Sequence, residues 1–277
     1  MSGVSAQGSA ERGTELLATD GLGMQFGGLR AVDNVKLTVR RGEIVGLIGP
    51  NGAGKTTCFN MITGVYKPTN GSVKLSGAAI DGQPTHQINR LGIARTFQNI
   101  RLFKKLSVLD NVRTALHGQA DYGLLTAVLR TPRFRQREAA LRDEALSLLS
   151  VFGLDGKQAA EAGSLPYGEQ RKLEIVRAMA TKPKLLLLDE PAAGMNPQET
   201  SVLNGLIHRL QGEFGLTILL IEHDMSLVMR ICERIYVLDY GKVIAEGNPE
   251  QIRSDRRVIA AYLGEEETGD MTPEGTV

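Results

Sequence analysis

The sequence predicts an α/β fold, a mainly parallel sheet covered by helices on both faces, with an antiparallel β region beside it and a helical block inserted within it. Three observations carry this. Strand-sized apolar runs at 185–188 and 216–221 alternate with amphipathic helical stretches, the pattern of βα units whose strands are buried on both faces. A glycine-rich loop joins one predicted strand directly to a helix. From 102 to 163 the periodicity turns helical before strands resume. With 277 residues, 42% of them apolar, the chain can bury a sizeable core as one large domain or two closely joined ones, without staples.

Residues 1–14 are rich in Ser, Gly and Ala and lack an apolar signal centre, so 1–17 is expected to be a flexible leader. From 22 to 71 the pattern is strand, turn, strand, loop, helix. Val35, Leu37 and Val39 alternate with Lys36, Thr38 and Arg40, as a half-buried strand does, and Arg41-Gly42 turns the chain. A buried strand at 44–48 leads through the glycine loop into a helix at 55–62. Residues 71–87, punctuated by Gly and Pro, read as mixed β, and 93–97 as a further apolar segment. In the inserted block Leu141, Ala145, Leu148, Leu149 and Phe152 share one helix face, and Gly153 stops that helix. A helix over 169–180, a strand over 185–189, a helix after Pro197, a strand over 216–221 and a short helix around 225–231 follow. Val202, Leu203, Leu206, Ile207, Leu210 and Phe214 place the Pro197 helix on a core. Segments 234–238 and 242–245 form a hairpin turning at Tyr240-Gly241. Residues 265–277, with Glu265, Glu266, Glu267, Asp270 and Glu274 and no basic residue, read as an acidic flexible tail.

Charge and composition exclude several classes. The 32 basic and 31 acidic residues give a formal charge of +1, which offers no general attraction for nucleic acid. No run approaches the roughly 18 apolar residues of a membrane span. Cys58 and Cys232, both in apolar surroundings, are too few for a disulfide framework or a cysteine-built metal site and fit a reducing compartment. The basic run Arg130, Arg133, Arg135 and Arg137 reads as a solvated loop in preference to a face for anionic lipid headgroups.

Gly49-Pro50-Asn51-Gly52-Ala53-Gly54-Lys55-Thr56 matches the phosphate-loop pattern in full, between a predicted strand and a predicted helix. Its glycines let backbone N–H groups converge on phosphates, Lys55 reaches the β and γ groups as a point charge, and Thr56 offers a hydroxyl to magnesium. The strand at 185–189 ends in Asp189-Glu190. In a phosphate-loop nucleotidase such a strand carries an Asp that holds magnesium, and a second carboxylate can deprotonate the attacking water. A phosphate loop alone also fits kinases, GTPases and recombinase-type motors. His86, His117 and His208 have no motif context.

Ser164-Leu165-Pro166-Tyr167-Gly168-Glu169-Gln170-Arg171, opening a helix shortly before the Asp189 strand, separates these options. It resembles the signature of ABC transporter ATPases, usually Leu-Ser-Gly-Gly-Gln, and the resemblance runs from about 22 to 264. It implies a P-loop NTPase of ABC type, with a RecA-like core, an antiparallel β subdomain and an inserted helical subdomain, the cassette covering 18–264 and the insertion about 102–163. It implies that Phe26 stacks on adenine, that Gln98 and His223 position water and magnesium, that Glu190 acts as general base, and that Lys55 is catalytic as well. The implied ATP contacts are Phe26, Gly49, Pro50, Asn51, Gly52, Ala53, Gly54, Lys55, Thr56 and Thr57. Those to the ATP of a second cassette are Pro166, Tyr167, Gly168, Glu169 and Gln170, and the magnesium ligands are Thr56, Gln98 and Asp189. Three departures stand out: Pro166 replaces the usual serine, removing a hydroxyl and an N–H, Tyr167 replaces the first signature glycine, and Asn196 stands in the D-loop where many relatives carry Asp.

Within the family, the phrases at 26–32, 92–103, 189–197, 221–225 and 261–264 resemble the ATP-binding subunit of high-affinity branched-chain amino acid importers. The resemblance implies ATP hydrolysis on the cytoplasmic face of the inner membrane. It also implies a related but distinct second cassette, two transmembrane permease subunits, a solute-binding protein acting through them, and no nucleic acid. Ile100, Leu102 and Phe103 are expected to line the groove that receives a permease helix. A cassette for urea or lipopolysaccharide, and a soluble non-transport ABC ATPase, stay open at this point.

Overall fold

The structure, a computed structural model, describes residues 13–118 and 131–268. In chain order its elements begin with β1 (Glu15–Phe26), β2 (Leu29–Arg40), β3 (Ile44–Ile48), α1 (Lys55–Ile62), β4 (Asn70–Leu75), β5 (Ala78–Ala79), α2 (Thr85–Leu91) and β6 (Ile93–Arg95). The inserted block contributes α3 (Val108–His117) and α4 (Pro132–Val151). Then come α5 (Tyr167–Ala180), β7 (Leu185–Asp189), α6 (Pro197–Phe214), β8 (Thr217–Ile221), α7 (Met225–Ile231), β9 (Arg234–Asp239), β10 (Lys242–Gly247), α8 (Pro249–Ser254) and α9 (Arg256–Thr268).

The larger sheet has the order β10-β9-β3-β8-β7-β6 and is parallel except for the β9–β10 hairpin, which turns at Tyr240-Gly241 as expected. β3, β7 and β8 are buried at every position. Because side chains alternate across a strand, each run feeds two cores. Ile44, Ile48, Leu186, Leu188, Ile218 and Leu220 face the core closed by α3, α4, α5 and α6. Val45, Leu47, Leu185, Leu187, Leu219 and Ile221 face the core closed by α1 and the antiparallel sheet β2-β1-β4-β5. Each such fully buried Leu or Ile stabilises the fold by about 2 kcal/mol.

Caps set the helix boundaries. Ser107 accepts the Asp110 N–H at the start of α3, and Thr131 accepts the Phe134 N–H at the start of α4, whose first residue is Pro132. Of the face expected in α4, Leu141, Ala145, Leu149 and the C-cap Phe152 are buried and Leu148 is half-buried. Gly215, at φ 61°, ends α6 in the left-handed region.

Several boundaries differ from expectation. β1 begins at Glu15, inside the expected leader of 1–17. Leu16 and Leu17 are buried, and Leu17 lies between Val39 and Leu75 in the antiparallel sheet, so the apolar pair already belongs to a core. α9 continues to Thr268, so 265–268 of the expected acidic tail is helical. The rest of that tail, 269–277, lies outside the described residues, as do 1–12 and 119–130 with Arg130. α2 takes up 85–87, the last residues of the segment expected as mixed β, and α5 starts at Tyr167 because the extended Pro166 provides its N-cap. Among the described residues no helix is long and apolar enough to cross a membrane.

Candidate active site

The loop at 49–54 leaves β3, at the centre of the sheet, and opens into α1. A Cβ at Gly49 would stand 1.9 Å from the Leu238 carbonyl oxygen, and one at Gly54 would stand 2.5 Å from that of Ala31. Both glycines also hold left-handed backbone, at φ 147° and 101°, so the loop is wedged between β9 and β2 where only glycine fits. The Gly241 N–H donates to the Ala53 carbonyl, and Ala53 N–H to the Pro50 carbonyl. Lys55 is buried, and its Nζ donates to the Gly49 and Pro50 carbonyls at 2.6 and 2.8 Å. Asn51, Gly52 and Thr56 are exposed, and Thr57 is half-buried on the first turn of α1. That turn carries no acidic residue and no side-chain cap, so the positive end of the helix faces the space the loop encloses.

β7 delivers Asp189 and Glu190 two strands from β3. Asp189, 3% exposed, is ion-paired through Oδ2 with Arg95 at 2.6 Å. The same guanidinium donates to Asn60 Oδ1 at 2.7 Å and Thr63 Oγ1 at 3.3 Å and lies over the rings of Phe59 and Phe97. Arg95 therefore ties α1, β6 and β7 together; its only signal in the sequence was a charge at the end of an apolar strand. Glu190 sits at φ 46°, a costly conformation for a residue with a Cβ, held by its N–H donating to the Ile221 carbonyl. Gln98 Nε2 donates to Glu190 Oε2 at 2.9 Å, and His223 Nδ1 lies 3.8 Å from the same oxygen. Three of the four expected catalytic residues thus converge, while Lys55 is held within its loop.

Glu222, buried beside them, accepts N–H bonds from Ala192 at 2.9 Å and His223 at 3.3 Å. Burial pushes its carboxyl above the usual range, against the lowering effect of the Ala192 N–H and the His223 charge. Phe26, at the end of β1, is 43% exposed and meets Tyr66 edge to face at 5.4 Å. Tyr66 was not singled out in the sequence, being one aromatic in a Gly- and Pro-punctuated turn.

In the segment 164–171, Pro166 caps α5 without a side-chain hydrogen bond. Tyr167 is exposed, and a Cβ on Gly194 would touch its ring at 3.3 Å. Gly168 is buried, where a Cβ would come within 2.7 Å of Glu199 Oε1. Glu169 is gripped by Lys157, and Gln170 Nε2 donates to the Leu165 carbonyl. Arg171 is fully buried: it donates to the Phe97 carbonyl at 2.6 Å, the Gln98 carbonyl at 2.8 Å and Glu174 Oε2 at 2.8 Å. Glu174 Oε1 in turn accepts the N–H groups of Phe97 and Arg101. Sequence reasoning missed this clamp, whose signal is a charged i, i+3 pair amid the buried residues of α5. Asn196 accepts the Glu199 N–H, and Glu199 accepts that of Asn196, so this side chain is committed to capping α6. Farther out, Ile100 and Leu102 are half-buried, and Phe103 is exposed beneath the Arg177 guanidinium.

The family model described as ABC transporter matches residues 32–193, and that described as Branched-chain amino acid ATP-binding cassette transporter matches 242–268. The high-affinity branched-chain amino acid transport ATP-binding protein LivG of Escherichia coli (strain K12) is 52% identical over 250 residues, covering 90% of this chain and 98% of LivG. The ADP conformation of MJ1267, an ATP-binding cassette of an ABC transporter, superposes with a TM-score of 0.79 at 30% identity, covering 91% of this chain and 99% of MJ1267. The dimeric post-hydrolysis state of the cassette MJ0796, bound to ADP and Pi, gives a TM-score of 0.71 at 25% identity, covering 84% of this chain and 99% of that one.

Proposed function

The chain belongs to the ABC transporter family as one of its ATP-binding cassettes, and from that premise we propose that it hydrolyses ATP to power a branched-chain amino acid importer. The observation that carries the reading is the meeting of Gln98, Glu190 and His223 beyond the carboxyl ends of β7 and β8, on the sheet whose central strand carries the phosphate loop. Open α/β sheets bind ligands outside the carboxyl ends of their strands. The cargo rests on the likeness to LivG and on the match at 242–268, which favour branched-chain amino acids over urea or lipopolysaccharide.

Each residue then has a task. Phe26 offers a half-exposed ring to adenine. Gly49, Pro50, Asn51, Gly52, Ala53 and Gly54 cradle the phosphates with Thr57. Lys55 exchanges two backbone carbonyls for the charged β and γ oxygens, a stronger pairing. The donor set fits magnesium: Thr56, Gln98 and Asp189 offer hard oxygen donors, Asp189 through the carboxylate oxygen not paired with Arg95. Magnesium held there would supply charge neutralisation to the phosphates. Glu190, oriented by Gln98 and flanked by His223, takes the proton of the attacking water.

The segment Pro166, Tyr167, Gly168, Glu169 and Gln170 serves ATP held by a second, related but distinct cassette. Without a hydroxyl or N–H at Pro166, that contact falls on Gly168 and the N-terminus of α5. The Asn196 side-chain oxygen caps its own helix, so only its amide Nδ2 is left to bond across to a second cassette. Ile100, Leu102 and Phe103 meet a helix of one of two permease subunits, through which a solute-binding protein acts. The cassette is thereby peripheral to the cytoplasmic face of the inner membrane, with no nucleic-acid partner.

The test uses the complex assembled with its permeases and second cassette. Lys55→Ala is expected to abolish ATP binding at this chain, and Glu190→Gln to retain binding while lowering turnover by about a hundredfold or more. Full turnover by Glu190→Gln removes the base role. An ATPase indifferent to binding protein loaded with leucine, isoleucine or valine removes the cargo.

A further inference from the structure

Glu169 is the third residue of α5, in the first turn and at the same end as the exposed Pro166 and Tyr167. An acidic side chain there suits the helix dipole and helps the helix form. It is badly placed for an end that must receive a phosphate, because a carboxylate cancels the positive end that attracts anions. The usual residue at this point of the signature is a neutral glutamine.

The structure contains an answer to this conflict. Lys157 Nζ lies 2.5 and 2.6 Å from the two carboxylate oxygens of Glu169, engaging both at once. The lysine comes from the segment after α4, and its backbone is fixed at both ends: its N–H donates to the Leu154 carbonyl and its carbonyl accepts the Ala160 N–H. That segment is pinned in turn to the start of α3 by the Val108 N–H donating to the Ala160 carbonyl and by the bridge between Ser107 and Glu161. A second carboxylate at this end, Glu199 beside Gly168, accepts the Asn196 N–H and sits in the first turn of α6, whose dipole offsets it.

We propose that Lys157 is a positioning residue that neutralises Glu169, so that the signature segment meets the triphosphate on the second cassette without net negative charge. This rests on the reading of 164–171 as an ABC signature. The pair is partly solvated, with side-chain exposures of 43% and 26%, so it contributes little to folding. Its effect belongs to nucleotide-dependent closure.

The experiment measures ATP turnover of the complete complex and thermal unfolding of this chain. Lys157→Ala should raise KM for ATP about five- to tenfold, with kcat changed less and the unfolding midpoint held within about 2 °C. Adding Glu169→Gln to Lys157→Ala should return KM to within about twofold of the unmodified complex. The KM ratio of Lys157→Ala to the unmodified complex should shrink as salt rises from roughly 0.05 to 0.5 M. An unchanged KM in Lys157→Ala overturns the proposal. So does a double variant as impaired as the single one, or a defect that ignores salt, since either makes Lys157 a tether rather than a counter-charge. Lys55→Ala in the same preparation separates the levels: if this chain still binds ATP, the phosphate-loop reading fails, and if only the Lys157 variants are silent, this inference fails alone.

Discussion

Replacing Arg171 by Met tests whether the α5 clamp holds the loop that carries Gln98. Methionine keeps an apolar stem of similar length but deletes the bonds to the Phe97 and Gln98 carbonyls and the ion pair with Glu174. Glu174, 6% exposed at its side chain, is left as a buried charge without its partner. Breaking such a pair by removing one member costs about 3–5 kcal/mol. Each carbonyl left bare costs about 1 kcal/mol or more if it stays dry. Gln98 and Arg101 are exposed, so the loop can turn these carbonyls toward water, and the whole loss comes to about 4 kcal/mol. For a chain of this size that lowers the melting temperature by roughly 8–16 °C. The release of residues 97–101 also frees Gln98 from Glu190, so turnover should fall about tenfold or more. ADP binding, which depends on the untouched phosphate loop, should hold. Urea unfolding, ATPase assay and ADP titration of the same sample read all three. A stability loss below about 1 kcal/mol, or loss of ADP affinity in step with turnover, refutes the clamp.

Two further expectations concern buried titratable groups. Glu222 has its folded-state pKa raised above the ordinary 4.5, chiefly by burial. Below that ordinary value both folded and unfolded states hold the proton; as pH rises through it the unfolded state ionises first, so stability falls until the folded carboxyl ionises and then stays lower. Glu222→Gln should therefore melt higher than the unmodified protein at about pH 8 and lose that advantage near about pH 4. An equal difference at both pH values contradicts the assignment. Burial pushes the Cys58 thiol up to about 12 and raises that of Cys232 as well. Native protein at about pH 8 should thus react with an aromatic disulfide reagent at least a hundredfold more slowly than the unfolded chain, and rapid labelling of either thiol would show the cores to be open.

The phosphate loop, the carboxylate pair after a buried strand and the two-sided apolar runs were legible because each depends on neighbours within one turn or one strand. Composition misplaced the first strand, since a Ser-, Gly- and Ala-rich opening hides that Leu17 already pairs with Val39 and Leu75 and that Leu16 is buried beside it. α2 was hidden for a similar reason: Gly and Pro around a short helix look like turn residues of a β region.

The chain's order of residues determined by itself which chemical groups stand at the ends of β3, β7 and β8, and hence the class of reaction. Only the tertiary structure decided which of those groups are already engaged. Arg95 reaches Asp189 across 94 positions, Arg171 reaches Phe97 across 74, and Gln98 reaches Glu190 across 92. Spacing along a strand or helix reports only on its own faces. A charge placed in an apolar run finds its partner when the sheet order brings the partner's element alongside, and that order is set by how two cores are filled at once.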